Sequence, residues 1–234
     1  MSTVSNQLYA PTRLWVPPEQ RKLDIIALVS PTLLSGQEMT YWLSKRQQSW
    51  GRYAHDDVPA LVRHIEERPG TLYVARRKDT NASASGIAGS LEAYKIQTHG
   101  DPKNIPPTAE EVRINGDAKE PDTVLLFQFE AYSDDEKSTV AQGQLIRDVI
   151  SFAVDTFRAY PNLFTYSPKE AVRIHRRFGA VPVHVFPNGR RHHIDPHVAI
   201  NSYWSEKPLK GLTDQEIEDW IKSSLEIVPS VPAA

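Results

Sequence analysis

The sequence predicts an α/β domain in which helices flank a central sheet. Two observations lead to this prediction: the order of strand and helix candidates along the chain, and one short, well-capped helix near residue 170. The overall composition agrees with it, because 234 residues with 40% hydrophobic and 24% charged residues are typical of a globular protein that buries one core.

The composition also excludes several classes of protein. A formal net charge of -2 gives no electrostatic footprint for nucleic acid, and no apolar run approaches the roughly 20 residues that span a bilayer. The absence of cysteine excludes disulfides, thiolate metal sites and a cysteine nucleophile. The first residues lack the apolar core of a signal peptide. We therefore expect a cytoplasmic protein that binds neither nucleic acid nor membrane.

The first half of the chain is predicted to contain an arm, three strands and two helices. Ser35 and Glu38 form a capping box, in which each side chain can accept from the other residue's backbone N–H, so a helix begins after Ser35. Apolar residues at helical spacing predict a second helix, which Arg68-Pro69-Gly70 ends. The predicted elements are an N-terminal arm at 1–22, a strand at 23–29, helices at 35–50 and 57–67, and strands at 71–75 and 86–94.

The second half begins with a long loop and continues with the strongest strand. Residues 97–122 are rich in Pro, Gly, Asp, Glu and Lys, and a loop of this length inside a compact domain is usually functional or mobile. The continuous apolar start of the strand at 124–132 predicts a central position in the sheet. The remaining elements are a helix at 140–160, a strand at 162–166, a hairpin of strands at 181–186 and 197–203, and a tail from residue 208 with an amphipathic helix at 213–225.

The most informative segment is a short helix that follows the strand at 162–166. Ser167 can be its N-cap, with Glu170 three residues later to complete a capping box. Pro168 fits the first helical position, where its missing N–H has no consequence. Gly179 can end the helix in a left-handed conformation.

The residues within this helix resemble a late helix of the GNAT (Gcn5-related) acyltransferases, where the family pattern is Ala-x-x-aliphatic-Tyr-x-x-aliphatic-Gly-Phe. The matching residues are Ala171, Ile174, Phe178 and Gly179. His175 stands where the family has its tyrosine, and Ala180 where it has phenylalanine. The predicted order of elements also resembles the GNAT order. The resemblance implies a GNAT-like domain at 23–207, with a mixed, mostly antiparallel sheet, followed by a tail at 208–234.

The resemblance implies a site for a coenzyme A thioester. In the GNAT family the strand equivalent to 124–132 splays from the next strand, and the acyl-bearing arm enters this gap and pairs with backbone groups, here those of Phe129 and Ala131. The pyrophosphate lies at the N-terminus of the following helix, where orphan N–H groups and the helix dipole favour an anion. The cofactor contacts expected from this helix are Gln142, Gly143, Gln144 and Arg147.

The phosphate-binding motif departs from the family's Gln/Arg-x-x-Gly-x-Gly/Ala. Gln142 matches its first position, but Leu145 and Arg147 occupy positions that are usually small. Gly143 would be the glycine of close approach if the loop is shifted by one residue, and Thr139 with Gln142 also forms a capping box that needs no ligand. The expected donor is acetyl-CoA or another acyl-CoA. An acyl-phosphopantetheine on a carrier protein is the alternative, because that arm needs the gap more than the pyrophosphate loop.

Acyl transfer to an amine requires a group that removes a proton from the amine and one that protonates the departing thiolate. Glu130, near the end of the central strand, is the expected base, and Glu92 is a second candidate. His175 is the expected acid because its unperturbed pKa near 6.5 suits proton transfer, and Tyr166 could supply a hydroxyl instead. The implied function is direct transfer of an acyl group to an amine of a small molecule or peptide.

Three alternatives are left open by the sequence. One is a GNAT-like protein that binds a ligand or partner without catalysis. Another is a carrier-protein-dependent acyltransferase of a biosynthetic pathway, with the loop at 97–122 as its docking surface. The third is a metal-dependent enzyme using His193, Asp195 and His197, which alternate in an extended segment and are suitable ligands for a divalent cation. The main prediction includes no metal.

Overall fold

The computed structural model describes residues 15–50, 58–78, 86–106, 111–113, 118–132, 139–186 and 198–225. Within these ranges the elements follow the predicted order. They are β1 (Leu23–Ala27), α1 (Gly36–Trp50), α2 (Val58–Glu67), β2 (Leu72–Arg77), β3 (Ile87–Ile96), β4 (Thr123–Ala131), α3 (Thr139–Phe157), β5 (Asn162–Pro168), α4 (Lys169–Arg177), β6 (Val181–Val185), β7 (Val198–Ser205) and α5 (Asp214–Leu225). Short 3-10 turns lie at Pro18–Gln20, Pro31–Leu33 and Pro102–Asn104.

The strands form one sheet in the order β1-β2-β3-β4-β5-β7-β6. Neighbouring strands are antiparallel except β4 and β5, which run parallel. Parallel neighbours need a crossover connection, and α3 supplies it. The apolar start of β4 is fully buried at Val124 and Leu125, and β4 is the middle strand. The predicted mixed, mostly antiparallel sheet is therefore confirmed.

Helices pack on both faces of the sheet. On one face Trp42 of α1 and Leu61 of α2 are buried against Leu72 of β2. On the other face α3 packs against β4 and β5. The buried residues of this second contact are Leu126, Val149, Ala153, Phe157 and Leu163. Among the described helices, none combines the length and apolar character that a membrane crossing requires.

Two capping boxes begin helices as local chemistry predicts. Ser35 N–H donates to the Glu38 carboxylate at 2.8 Å, and Glu38 N–H donates to Ser35 Oγ at 3.2 Å, so the prediction for α1 is confirmed. Thr213 and Glu216 make the same reciprocal pair before α5.

The boundary between β5 and α4 differs from the prediction. β5 extends through Pro168, and α4 begins at Lys169, so Ser167 and Pro168 pair with β7 instead of starting the helix. Long-range strand pairing has overridden the local helix-start signal. The other end agrees with the prediction, because Gly179 has φ of 87° and ends α4 in the left-handed region.

The long connection between β3 and β4 packs on the sheet face that carries α1 and α2. Antiparallel neighbours need only a short turn, so residues 97–122 exceed what the topology requires. Within its described part, Ile105 and Val112 are buried against Tyr94 and Leu125. The described part of this connection thus packs on one face of the sheet.

Residues 15–22 lie along α3. Trp15 Nε1 donates to Asp155 at 3.1 Å, and Val16 N–H donates to Ser151 Oγ at 2.9 Å. The Arg21 guanidinium pairs with the same Asp155 carboxylate. The described end of the N-terminal arm is therefore fixed to the helix that follows the central strand.

The tail helix α5 packs on α4. Ile217 and Trp220 are buried against Val172. Two ion pairs flank this contact, with Arg173 to Glu218 at 3.2 Å and Arg176 to Asp214 at 2.6 Å. These two arginines of α4 are thus engaged by carboxylates of α5.

Candidate functional site

The two central strands separate partway along their length. β4 and β5 are paired from Thr123 opposite Asn162 to Leu126 opposite Thr165. β4 then continues to Ala131 and β5 to Pro168, but beyond Leu126 and Thr165 no residues of these two described strands are paired with each other. The sheet therefore opens into a gap whose vertex is the pair Leu126–Thr165.

A β-bulge and a proline accompany this opening. The β3–β4 register passes from Glu92 opposite Phe127 to Ser90 opposite Glu130, so β4 carries one extra residue. Such a bulge bends its strand and increases the local twist. Pro168 ends β5 without an N–H to donate. Both features act beyond the vertex, where regular pairing stops.

The β4 edge of the gap presents backbone groups that the sheet does not use. Tyr132 N–H donates to the Ala88 carbonyl of β3 at 2.7 Å. Successive residues of an antiparallel strand alternate between its two sides, so the N–H and C=O of Ala131 point away from β3 and into the gap. Phe129 lies in the bulge, and Glu130 follows it. All three residues belong to the opened part of β4.

The residues that the resemblance assigns to phosphate binding lie in the first turns of the helix after β4. α3 begins at Thr139, and Gln142, Gly143 and Gln144 follow within two turns. A Cβ placed on Gly143 would meet no atom of the described residues within 4 Å. Arg147 lies about 12 Å along the helix axis from Thr139.

Residues 133–138, between β4 and α3, lie outside the described part of the chain. Their sequence contains Asp134, Asp135 and Glu136 against a single Lys137. Carboxylates at a helix N-terminus compete with a phosphate for the same positive field. The negative charge of this segment is therefore unfavourable for binding a phosphate nearby.

Aromatic rings line one face of the gap. The Phe127 ring lies 5.7 Å from that of Tyr166 and 6.4 Å from that of Tyr94, measured between centroids. Tyr166 is the first residue of β5 beyond the vertex and is buried. Burial raises the pKa of its hydroxyl, and the charge of Glu111 raises it further. The hydroxyl therefore stays protonated at neutral pH, and its raised pKa makes it a weaker proton donor than an ordinary tyrosine.

A buried carboxylate lies behind these rings. Glu92 Oε1 accepts from Arg46 at 2.7 Å and lies 3.4 Å from Arg113 Nη2, while the Tyr94 hydroxyl donates to Oε2 at 2.6 Å. Burial raises the pKa of Glu92, but the charges of Arg113 and Arg46 outweigh burial and hold that pKa well below its usual range. Glu92 is thus a paired anion, and this environment does not support its second-candidate role as a base.

The opposite face of the gap carries a small polar cluster. Ser167 is next to Tyr166 in β5, so its side chain faces the other side of the sheet. Asn201 of β7 is fully buried, and its Nδ2 donates to Ser167 Oγ at 2.6 Å. Its Oδ1 is buried and has no hydrogen-bond partner among the described residues. An unsatisfied buried acceptor costs about 1–3 kcal/mol, so this oxygen is suited to a donor from a ligand.

His175 lies near the vertex. Its Nδ1 is 2.9 Å from the Tyr203 hydroxyl, and Tyr203 is the bulged residue of β7 at the level of Leu163 and Phe164. Burial lowers the pKa of His175 to about 4. At neutral pH the ring is therefore uncharged, which makes it a poorer acid than the imidazolium that the sequence suggested.

This lowered pKa predicts a pH-dependent stability. His175 titrates near 6.5 when unfolded and about 4 when folded, so between these values the unfolded chain binds the extra proton. The stability is fully present above the unfolded pKa and is lost as the pH falls toward the folded pKa, by about 3 kcal/mol. Urea unfolding between about pH 7.5 and pH 4 should show this loss.

Replacing His175 with glutamine should remove most of this pH dependence, because glutamine can bond Tyr203 but does not titrate. His99→Gln removes an exposed histidine and serves as the control. An unchanged slope in the His175→Gln variant would contradict the neutral, buried state of this ring.

Two other features lie away from the gap. His193, Asp195 and His197 are outside the described residues, and within the described ranges no cluster of three or more metal-ligand side chains is placed to hold an ion. A cleft of about 210 Å³ lies at the other end of β4 and β5. It is lined by His99, Gly100, Asp122, Asn162, Glu206 and Lys207.

Sequence reasoning missed the ion-pair cluster around Glu92 and the polar pair Asn201–Ser167. The available signal for the first was a glutamate in the middle of the mostly apolar strand Ile87–Ile96. The second had no local signal, since strand pairing between β5 and β7 brings the two residues together.

A seven-stranded sheet of this order, opened between its fourth and fifth strands ahead of a helix, characterises the GNAT (Gcn5-related N-acetyltransferase) fold. The chain has this fold, as the resemblance implied.

Several solved structures are similar to this chain. The loading GNATL domain of CurA from Lyngbya majuscula has a TM-score of 0.53 and 11% identity, covering 77% of this chain and 96% of that one. Arabidopsis thaliana NAA60 in complex with a bisubstrate analogue has a TM-score of 0.49 and 10% identity, with coverages of 80% and 99%. The aminoglycoside N(6')acetyltransferase from Legionella pneumophila has a TM-score of 0.48 and 11% identity, covering 86% of this chain and 96% of that one. No family model and no curated protein matches the sequence. The likeness to the CurA domain, whose TM-score exceeds 0.5, supports the fold alone, since the identity is 11%.

Proposed function

We propose that the protein is an N-acyltransferase that moves an acyl group from a thioester donor to an amine. The observation that carries this proposal is the gap between β4 and β5. Central strands that separate leave backbone groups unpaired, and an extended molecule with amide groups can satisfy them as an added strand would. The pantetheine arm of coenzyme A is such a molecule.

The donor arm would lie in the gap with its thioester toward the vertex and its phosphates toward α3. The backbone of Phe129 and Ala131 would pair with the arm on the β4 side. Asn201 Oδ1, which has no partner among the described residues, would accept from an amide N–H. The first turns of α3, with Gln142, Gly143 and Gln144, would face the phosphates. Arg147 would add positive charge to this end.

Transfer would proceed by direct attack of the amine nitrogen on the thioester carbonyl carbon, breaking the bond to sulfur. Glu130 would take the proton that the amine loses, since it lies in the opened part of β4. Tyr166, the first residue of β5 beyond the vertex, would donate a hydrogen bond to the departing sulfur, and because its raised pKa makes it a weak acid, the thiolate would take its proton from solvent. His175 would keep a positioning role through its bond to Tyr203.

Thermal unfolding with acetyl-CoA tests the donor site. A ligand at about 100 times its dissociation constant stabilises the fold by roughly 2.7 kcal/mol. For a chain of this size each kcal/mol raises the melting temperature by roughly 2–4 °C, so a shift of several degrees is expected. The absence of any shift with acetyl-CoA and with S-acetylpantetheine would overturn the proposed function.

Gly143→Ala tests the phosphate end of the same site. Alanine is the better helix former by about 1 kcal/mol, and its Cβ would meet no described residue within 4 Å, so the variant should be at least as stable. It should nevertheless lose part of the acetyl-CoA shift, because the methyl group would occupy the space of the phosphates. Gly36→Ala, also in open space, is the matched control. If Gly143→Ala keeps the full melting-temperature shift with acetyl-CoA, the phosphates do not bind beside Gly143.

A carrier-bound donor is the second candidate. The acidic residues 134–136 oppose phosphates, and Leu145 replaces a usually small residue in the expected motif. A phosphopantetheine arm on a carrier protein brings one phosphate to this end instead of the several of coenzyme A. Equal stabilisation by acetyl-CoA and by S-acetylpantetheine, which has no phosphate, would favour a donor bound to a carrier protein over free coenzyme A. A cytoplasmic location is a prediction from the sequence for either donor.

A further inference from the structure

Two arginines share one carboxylate behind the aromatic rings. Arg46 and Arg113 both pair with Glu92, and the three groups together carry a charge of about +1. The Arg46 contact is short, at 2.7 Å, and fully buried. The Arg113 contact is longer, at 3.4 Å, and 24% of the Arg113 side chain is exposed. Arg46 therefore neutralises Glu92, and Arg113 is the cation with capacity for another anion.

Arg113 also has an unused donor. Its Nε is buried and makes no hydrogen bond to any described residue. A guanidinium binds a carboxylate best through two parallel N–H groups, and Nε with a neighbouring Nη is one such pair. A buried guanidinium N–H without an acceptor is costly, so a ligand carboxylate at this position would be stabilised.

Arg113 lies beside the opened part of the sheet. Its Cζ is 5.7 Å from the ring centroid of Phe127, the first residue of β4 beyond the vertex. Val112, next to it, is buried in the cluster that contains Tyr166. The helical residues 111–113 thus lie beside the opened part of the sheet, on the face opposite Ser167 and Asn201. An acceptor on this face would reach the thioester without displacing α3 or α4.

We propose that Arg113 binds a carboxylate of the acyl acceptor, so that the acceptor is an amine that also carries a carboxylate, such as an amino acid. This inference rests on the proposed acyltransferase function and names its class of substrate. The amine would enter the gap past Phe127 while the carboxylate stays on Arg113. The long connection between β3 and β4 would then supply the specificity of the enzyme for its acceptor.

The test compares matched acceptors that differ only in the carboxylate. Purified protein is given acetyl-CoA and a panel of amino acids or of the corresponding carboxamides, and released thiol is measured. The amino acids should react with a kcat/KM at least tenfold above that of their carboxamides. Arg113→Gln should abolish this preference mainly through KM, and Arg63→Gln, at an exposed arginine of α2, should preserve it. Equal rates for acids and carboxamides, or an unchanged preference in Arg113→Gln, would overturn the inference.

A binding measurement separates this inference from the proposed function. Melting temperatures are measured with coenzyme A plus an N-acetyl amino acid, the expected products, and with coenzyme A plus the N-acetyl amino-acid amide. If the N-acetyl amino acid raises the melting temperature more than its amide does in the wild-type protein, but not in Arg113→Gln, the inference is supported even when turnover is slow. Stabilisation by acetyl-CoA with no difference between acid and amide overturns the role of Arg113 alone. No stabilisation by any thioester overturns both proposals.

Discussion

Replacing Glu130 with glutamine should lower kcat for acyl transfer by about 100- to 10,000-fold, the range that a general base contributes. Glutamine keeps the size of the side chain and removes its ability to take a proton. The melting-temperature shift with acetyl-CoA should be preserved, because the proposed donor contacts at this position come from the backbone of the neighbouring residues. Steady-state rates and thermal unfolding of the same preparation measure the two effects.

The control for this experiment is Glu120→Gln, which removes an exposed carboxylate from the connection between β3 and β4. It should leave both the rate and the donor shift unchanged. If Glu130→Gln retains a rate within about threefold of wild type, well short of a base's contribution, another group removes the proton. A variant that loses the donor shift together with the rate would show that Glu130 acts in binding.

Replacing Glu92 with alanine should destabilise the protein by about 3–5 kcal/mol, because it leaves Arg46 as an uncompensated charge in the core. For a chain of this size the melting temperature should fall by roughly 6–20 °C. The lowered pKa of Glu92 keeps the carboxylate charged at neutral pH, so its full contribution is present there and is lost only in acid. Urea unfolding at neutral pH measures the difference.

Two further variants serve as controls for the stability loss expected of Glu92→Ala. Glu218→Ala removes an ion pair whose side chains are 72% and 46% exposed, and it should cost less than about 1 kcal/mol. The double variant Arg46→Met with Glu92→Leu replaces the buried pair by apolar groups and should recover much of the lost stability. A cost below about 1 kcal/mol for Glu92→Ala would mean that Arg46 reaches solvent in the variant.

The order of elements could be predicted because local chemistry defines most of them. The capping box Ser35–Glu38 begins α1, Gly179 ends α4, and the apolar start of β4 places that strand in the middle of the sheet. Each of these signals depends on residues close together in sequence. Local reasoning failed at Pro168, where pairing with β7 keeps the chain extended.

The positions of the candidate residues along β4 followed from the sequence, whereas their chemical surroundings did not. Family resemblance placed Phe129, Glu130 and Ala131 in an opened strand, and the backbone of the structure has them there. The pKa values of His175 and Glu92 depend on burial and on partners from distant segments. No spacing within the sequence reveals those partners, because Tyr203 and Arg46 meet them only after the sheet and helices assemble.

The gap also divides the protein along its sequence. Strands β1 to β4 come from residues 23–131 and strands β5 to β7 from residues 162–205, so each half of the sheet is one continuous stretch of chain. In the described strands the halves meet through the short parallel ladder that ends at the vertex, while α3, which links the two stretches, packs on strands of both. A cleavage between 133 and 138 would thus yield two fragments that each contain an intact half-sheet. A donor in the gap would touch both fragments and join them, which makes this fold suited to ligand-controlled reassembly of a split protein.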